Sequence, residues 1–251
     1  EILIDYRDKP TVTLRGEVDF RNRDRLREVI SSLAERGNAV DVDLRELIFM
    51  DSTGVSALVD AAKALQPFGG RLNLVAPSAH LVRMLKESGF SGVFGCDATV
   101  LRPTAALPGS VAGAADRLHL ELPNRAEMIS HIRVRVAEFA QTMPFTAEQV
   151  EDIKLAVGEA SANAMRHGVS ADCCVVEVRA ERLAGGIEIR IRDRGCGFDP
   201  DAVCPAKRGD LVEGGRGIMF MRALMDDVRF HFHAPGTEVE MVKWCNGSKP
   251  S

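Results

Sequence analysis

Aromatic side chains are scarce in this sequence: one Trp, one Tyr and 5% Phe, Trp and Tyr together in 251 residues. A surface that stacks nucleic-acid bases needs more exposed rings than that. Charge of one sign is also missing. There are 13 basic against 15 acidic residues up to position 100 and 19 against 21 after it, for a formal net charge of −4. Neither half is a basic patch, which argues against direct contact with nucleic acid or an anionic membrane. The six Cys, at 96, 173, 174, 196, 204 and 245, include no CxxC pair and no Cys/His ligand spacing, which excludes the usual structural zinc sites. A chain of this length can build a core without disulfide staples, so the thiols read as those of a reduced, cytoplasmic protein. No apolar run approaches the about 20 residues that cross a bilayer. The sequence lacks a signal-like start, and its first residue is Glu rather than Met, so the natural N-terminus is open to having been trimmed.

What is present is the composition of a soluble globular protein, 45% apolar and 27% charged. The stretch LRPTAALPGSVAGAADR, 101–117, is rich in Ala, Pro and Gly without periodicity and reads as a linker. It divides a first unit, 1–100, from a second, 118–246, with 247–251 as a tail. In the first unit TVTLRGEV, AVDVDL and RLNLVA alternate like strands. RNRDRLREVISSLAERG, VSALVDAAKAL and AHLVRMLKESG carry helical apolar spacing, the last closed by Gly89. This predicts a small α/β domain. In the second unit RLHLELP reads as a strand, followed by two long helices at 126–143 and 147–168. Strands CCVVEVRAERL and GIEIRIRD turn at Gly185-Gly186. A helix GIMFMRALM and two strands turning at Pro235-Gly236 complete it. Helices on one face of a mixed or antiparallel sheet make an α/β sandwich.

Four short patterns in the second unit carry chemistry. Glu159 and Asn163, four apart on the second long helix, share a face turned from the apolar stripe of Val150, Ile153, Val157, Ala160 and Ala164. Small Ala156 and Ala160 beside them leave room for a ligand. A carboxylate and an amide one turn apart suit a general base and an oxygen ligand for Mg²⁺; for such a pair in isolation a solvated helix face is the plainer reading. Next, Asp193-x-Gly195-x-Gly197 follows a strand, where glycines let backbone approach a ligand and Asp193 offers a buried acceptor. Gly214, Gly215 and Gly217 then open a helix, a place where backbone N–H groups bind phosphate. Gly236-Thr237 precedes the final strand. His231 and His233, two apart on a strand, could pair on a metal, but no third ligand is near in sequence.

The order of these patterns, with LAVGEASANAMRHG and GGRGIMFMRALMDDV, resembles the GHKL ATP-binding superfamily and within it the anti-sigma-factor serine kinases. No helix pair with a phospho-accepting His precedes it, so a sensor histidine kinase is disfavoured. The resemblance covers 118–246 and implies the Bergerat α/β sandwich, binding ATP with Mg²⁺. It implies Glu159 as the base that accepts the hydroxyl proton and Asn163 as the Mg²⁺ ligand. It also implies Asp193 on the adenine amino group with Thr237 assisting, Gly195 and Gly197 beside the nucleotide, Gly214, Gly215 and Gly217 at the phosphates, and a lid over 198–213.

The first unit, through VDVDLRELIFMDSTGVSALV, resembles a STAS domain, the fold of anti-sigma-factor antagonists. The resemblance makes Ser52 the phosphoacceptor. The residue types alone leave a plain alternative, since Asp51, Ser52 and Thr53 are each competent helix caps. Together the two resemblances imply an ATP/Mg²⁺-dependent serine kinase of the partner-switching type fused to an antagonist-like domain. Its implied partners are a STAS-domain antagonist, in the same or a separate chain, and a sigma factor, with a homodimer expected from the family's habit. A rival reading is a nucleotide-gated module that sequesters a sigma factor or antagonist without turnover; the presence of Glu159 favours the enzyme.

Overall fold

The structure is a computed structural model; it describes residues 1–5, 9–34, 39–87, 89–90, 92–96, 116–167, 175–195, 216–233 and 236–245. The chain divides into two compact units. The first carries strands β1 (Ile2–Asp5), β2 (Thr11–Val18), β3 (Val40–Met50), β4 (Leu72–Val75) and β5 (Gly95–Cys96). Its helices are α1 (Arg23–Ala34), α2 (Ser52–Leu65) and α3 (Ala79–Glu87). The strands lie in sequence order in one sheet, β1 antiparallel to β2 and the rest parallel. Val12, Val42 and Leu74 sit side by side across β2, β3 and β4 and are almost fully buried. Buried Leu26, Ile30, Val55, Leu58 and Val59 come from α1 and α2, which pack on each other.

Strand β3 runs six residues further than the alternation of AVDVDL foretells. Two register shifts against β2 interrupt it, and the second leaves Ile48 as an extra residue, 65% exposed. Each bulge breaks the period of two while letting the strand continue. The shortness of β1 and β5, four and two residues, likewise hides them from pattern reading.

The second unit holds β6 (Arg117–Pro123), α4 (Met128–Gln141), α5 (Ala147–His167), β7 (Val175–Leu183), β8 (Gly186–Arg192), α6 (Arg216–Leu224), β9 (Asp227–Phe232) and β10 (Thr237–Trp244). Arg117, assigned by composition to the linker, is already the first residue of β6; 101–115 lie outside the described residues. The sheet is fully antiparallel in the order β6-β7-β8-β10-β9. Leu120, Val178, Ile191, Val239 and Phe230 line up across it, as do Leu118, Ala180, Ile189, Met241 and Val228. The alternate rows are charged: His119, Arg179, Arg190, Glu240 and Arg229 in one, Glu121, Glu177, Arg192, Glu238 and His231 in the next. An antiparallel sheet with helices on one face produces this alternation.

Helix α5 is the centre of the unit, packed on α4, on α6 and on the sheet. Its start is a capping box: Thr146 N donates to Gln149 Oε1 at 2.9 Å and Gln149 N to Thr146 Oγ1 at 3.2 Å. Gln149 Nε2 also donates to the carbonyls of Trp244 and Cys245, tying the helix start to the end of β10. One turn on, buried Asp152 receives Lys243 Nζ of β10 at 3.3 Å, and the same ammonium donates to the carbonyl of Leu224 in α6. No helix among the described residues is long and apolar enough to cross a membrane.

Candidate nucleotide site and acceptor loop

The face of α5 that carries Glu159 is not solvated. Glu159 is 5% exposed, and Ala156 and Ala160 are fully buried, so they pack rather than leave open room; Asn163, one turn on, is half-buried. The reason is tertiary: a helix surrounded by two helices and a sheet has no solvent side along most of its length. Glu159 is covered in part by the start of α6. A Cβ placed on Gly217 would lie 2.5 Å from Glu159 Oε2. Sequence spacing thus joins Glu159 to Asn163, and folding joins Glu159 to Gly217 from 58 residues away.

A second cluster forms where β8 ends beside the start of β10. Asp193 N donates to the carbonyl of Thr237 at 2.9 Å, which extends the ladder past the last strand residue. Asp193 Oδ1 then accepts from Gly195 N at 2.9 Å and Thr237 N at 3.3 Å. Asp193 is 3% and Thr237 1% exposed. The Thr237 hydroxyl is buried and has no partner among the described residues. A native fold seldom leaves such a group unsatisfied, which makes this hydroxyl a candidate ligand contact. Gly236 enables the approach. Its φ is +102°, and a Cβ there would lie 2.0 Å from the Asp193 carbonyl oxygen. In sequence Gly236 only precedes Thr237; its steric necessity arises once the two strands lie side by side. Gly197, Gly214, Gly215 and the 198–213 segment lie outside the described residues.

In the first unit the structure decides among the three candidate caps. Asp51 caps α2: its Oδ1 accepts from Thr53 N at 2.9 Å, Gly54 N at 2.9 Å and Thr53 Oγ1 at 2.6 Å. Asp51 N donates to the carbonyl of Val18, which sets the loop against the end of β2. Gly54 allows this closeness, since a Cβ there would lie 2.7 Å from Met50 Cγ and 2.9 Å from Val18 Cγ1. Burial pushes the Asp51 carboxyl above its ordinary range against the lowering hydrogen bonds from Thr53 and Gly54, and nearby Asp19 adds to the rise. Asp19, itself 1% exposed, is paired with the Arg21 guanidinium. Ser52 is therefore not needed as a cap, yet it is only 4% exposed, more enclosed than its neighbour Thr53.

Two further polar clusters lie on the sheet of the second unit. His231 lies 3.3 Å through Nε2 from Glu240 Oε2 across β9 and β10, an ion-pair geometry, and His233 falls beyond the end of β9. On β6 and β7, His119, Glu121 and Glu177 bring possible ligand atoms within 4.8 Å of one another. Arg179 pairs with Glu177 there. Burial raises the Glu177 carboxyl, but hydrogen bonds from Arg179 and His119 outweigh it and hold it low. That arrangement is a charge network of the outer sheet face, invisible in sequence because its members lie 58 residues apart.

An antiparallel sheet under three helices, with a glycine-flanked Asp at a strand end and a buried Glu beside a glycine helix start, defines a GHKL-type ATP-binding domain, here joined to a STAS-like domain. Residues 122–243 match the family model of the histidine kinase-like ATPase domain, and residues 5–102 that of the Mlab, STAS domain. The serine-protein kinase RsbW of Bacillus subtilis (strain 168) is 33% identical over 144 residues, 54% of this chain and 89% of that one. The RsbW of Listeria monocytogenes serotype 4a is 31% identical over 140 residues, 52% of this chain and 88% of its own. The solved structure of the anti-sigma factor antagonist SpoIIAA in its unphosphorylated form is 24% identical, covers 34% of this chain and 82% of its own, and has a TM-score of 0.32. The chain belongs to the family of the RsbW serine-protein kinases, and it carries a STAS domain ahead of the ATPase domain.

Proposed function

We propose that this serine kinase works by partner switching, with 118–246 as the catalytic unit, 101–117 as a tether and 1–100 as an antagonist-like unit that presents Ser52. The observation that supports it most is the buried Glu159 carboxylate set against the glycine start of α6. In this reading a serine hydroxyl oxygen attacks the γ-phosphorus of ATP, its proton passes to Glu159, the bond to the bridging oxygen breaks and ADP leaves. Asp193 and the orphaned Thr237 hydroxyl receive the adenine. The half-buried Asn163 amide, a hard oxygen donor one turn from Glu159, fits Mg²⁺, which would supply charge neutralisation at the phosphates. Gly195, Gly197, Gly214 and Gly215 let backbone run close to the nucleotide.

Phosphate on Ser52 would place nearly two negative charges beside buried Asp51 and Asp19. That is enough to change what docks on the loop, and it is the basis of the proposed switch toward a STAS-domain antagonist or a sigma factor. Because Ser52 is 4% exposed, transfer requires the first turn of α2 to open. The same burial favours a second reading, in which the first unit is a permanent cap and the acceptor is a separate antagonist chain. Intact-mass measurement with and without Mg-ATP, repeated with Glu159→Gln, separates these. The expectation is phosphate on Ser52 of the wild type and transfer about 10²–10⁴-fold slower in the variant. Equal rates in the two proteins would remove Glu159 from the base role. Phosphate on an added antagonist but never on Ser52 would select the cap.

A further inference from the structure

Glycine in the first turn of α6 is not demanded by backbone conformation: Gly217 is not among the glycines with positive φ. Alanine is the better helix former at such a position. What the missing side chain leaves is space for one group. Among the described residues, the three heavy atoms nearest to a Cβ built on Gly217 all belong to Glu159: Oε2 at 2.5 Å, Cδ at 3.5 Å and Cβ at 3.7 Å. The contrast with Gly236 is informative, because there the obstruction is the backbone of Asp193 and Arg194, which cannot step aside.

We propose that Gly217 is a positioning residue for Glu159: its bare Cα sets where the carboxylate rests, in addition to whatever its backbone does at the phosphates. The proposal rests on the reading of Glu159 as the base. Ordinary van der Waals contact to a Cβ begins near 3.4 Å, so a methyl at 217 drives Oε2 back by about 0.9 Å. The displaced atom is the far end of a side chain with three torsions, while Cδ and Cβ already stand at permitted distances. The carboxylate therefore turns and the helix stays. A displacement of about 1 Å at a reacting group costs about 10²-fold in rate.

The test uses the full chain and four proteins: wild type, Gly217→Ala, Glu159→Gln and the double variant. Phosphate gain, on the chain itself and on an added free STAS-domain antagonist, is followed by intact mass after rapid mixing with Mg-ATP, ATP affinity by calorimetry and folding by thermal melting. Expected for Gly217→Ala are transfer about 10²-fold slower, unchanged ATP affinity and an undiminished melting temperature. In the Glu159→Gln background Gly217→Ala should slow transfer no further, because there is no carboxylate left to misplace. If ATP affinity instead falls in both backgrounds, Gly217 serves the phosphates alone and the proposal is overturned. If Glu159→Gln is slow and the double variant slower still, the base assignment stands and only the role given to Gly217 fails. If Glu159→Gln is as fast as wild type, the base assignment fails, and the positioning role with it.

Discussion

Thr237→Val tests the nucleotide site without touching the catalytic face of α5. Valine nearly reproduces the shape of threonine, so the change removes the hydroxyl and little else. That hydroxyl is buried in a residue 1% exposed and has no partner among the described residues. Burying an unsatisfied polar group costs about 1–3 kcal/mol. The nucleotide-free variant should therefore be more stable than wild type by about 1 kcal/mol, raising the melting temperature by about 3–5 °C for a unit of this size. With ATP the order should reverse. If the hydroxyl hydrogen-bonds the adenine, its loss weakens binding about tenfold, equivalent to about 1.4 kcal/mol. Ligand stabilisation then shrinks by a similar amount. Thermal melts across an ATP titration, with calorimetric affinity alongside, read both halves. A variant less stable than wild type without ATP would show that the hydroxyl has a protein partner. A variant that binds ATP as tightly as wild type would show that Thr237 does not touch the nucleotide. Either result refutes the argument.

Two further outcomes follow from buried charge. Asp51 has a folded pKa above its ordinary value of 3.8, through burial first and Asp19 as a lesser cause. Its contribution to stability is thus fullest below the unfolded pKa and is lost as pH rises through the folded one. Asp51→Asn keeps the Oδ1 acceptor of the cap without the charge, so it should be more stable than wild type at neutral pH, with the difference fading toward about pH 4. Urea melts at several pH values that show a uniform loss would contradict this. Asp152→Ala leaves the partly buried Lys243 ammonium with the Leu224 carbonyl but without this carboxylate and should cost about 1–3 kcal/mol, below the about 3–5 kcal/mol of a fully buried pair, measured by urea unfolding. Joint replacement by Asp152→Leu and Lys243→Met should recover most of it, and a double variant as weak as the single one would argue against the pair.

Long elements were legible because their periodicity is local. The helix read at 147–168 is α5 at 147–167, and the strands read at 11–18 and 117–123 have the bounds of β2 and β6. The missed strands were those whose identity depends on a neighbour. β1 and β5 are too short to show a period, whereas the apolar end of β3 running into Asp51 is legible even though its alternation fails at two bulges in register with β2.

The same division runs through the site. The chemistry on offer is readable along the chain: a carboxylate and an amide one turn apart on α5, an Asp-x-Gly-x-Gly at a strand end, glycines at a helix start, and an Asp-Ser-Thr-Gly helix entry. Spacing within one element sets those relations, and the element's own geometry guarantees them. What each group meets is set by packing. Glu159 lies under Gly217 because α5 and α6 pack together; Asp193 binds Thr237 because β8 pairs with β10; and Asp51 caps α2 while Ser52 is enclosed, because the loop sits against the end of β2. Burial and contact across distant segments are properties of packing, and no local pattern encodes which side chain will be left facing which.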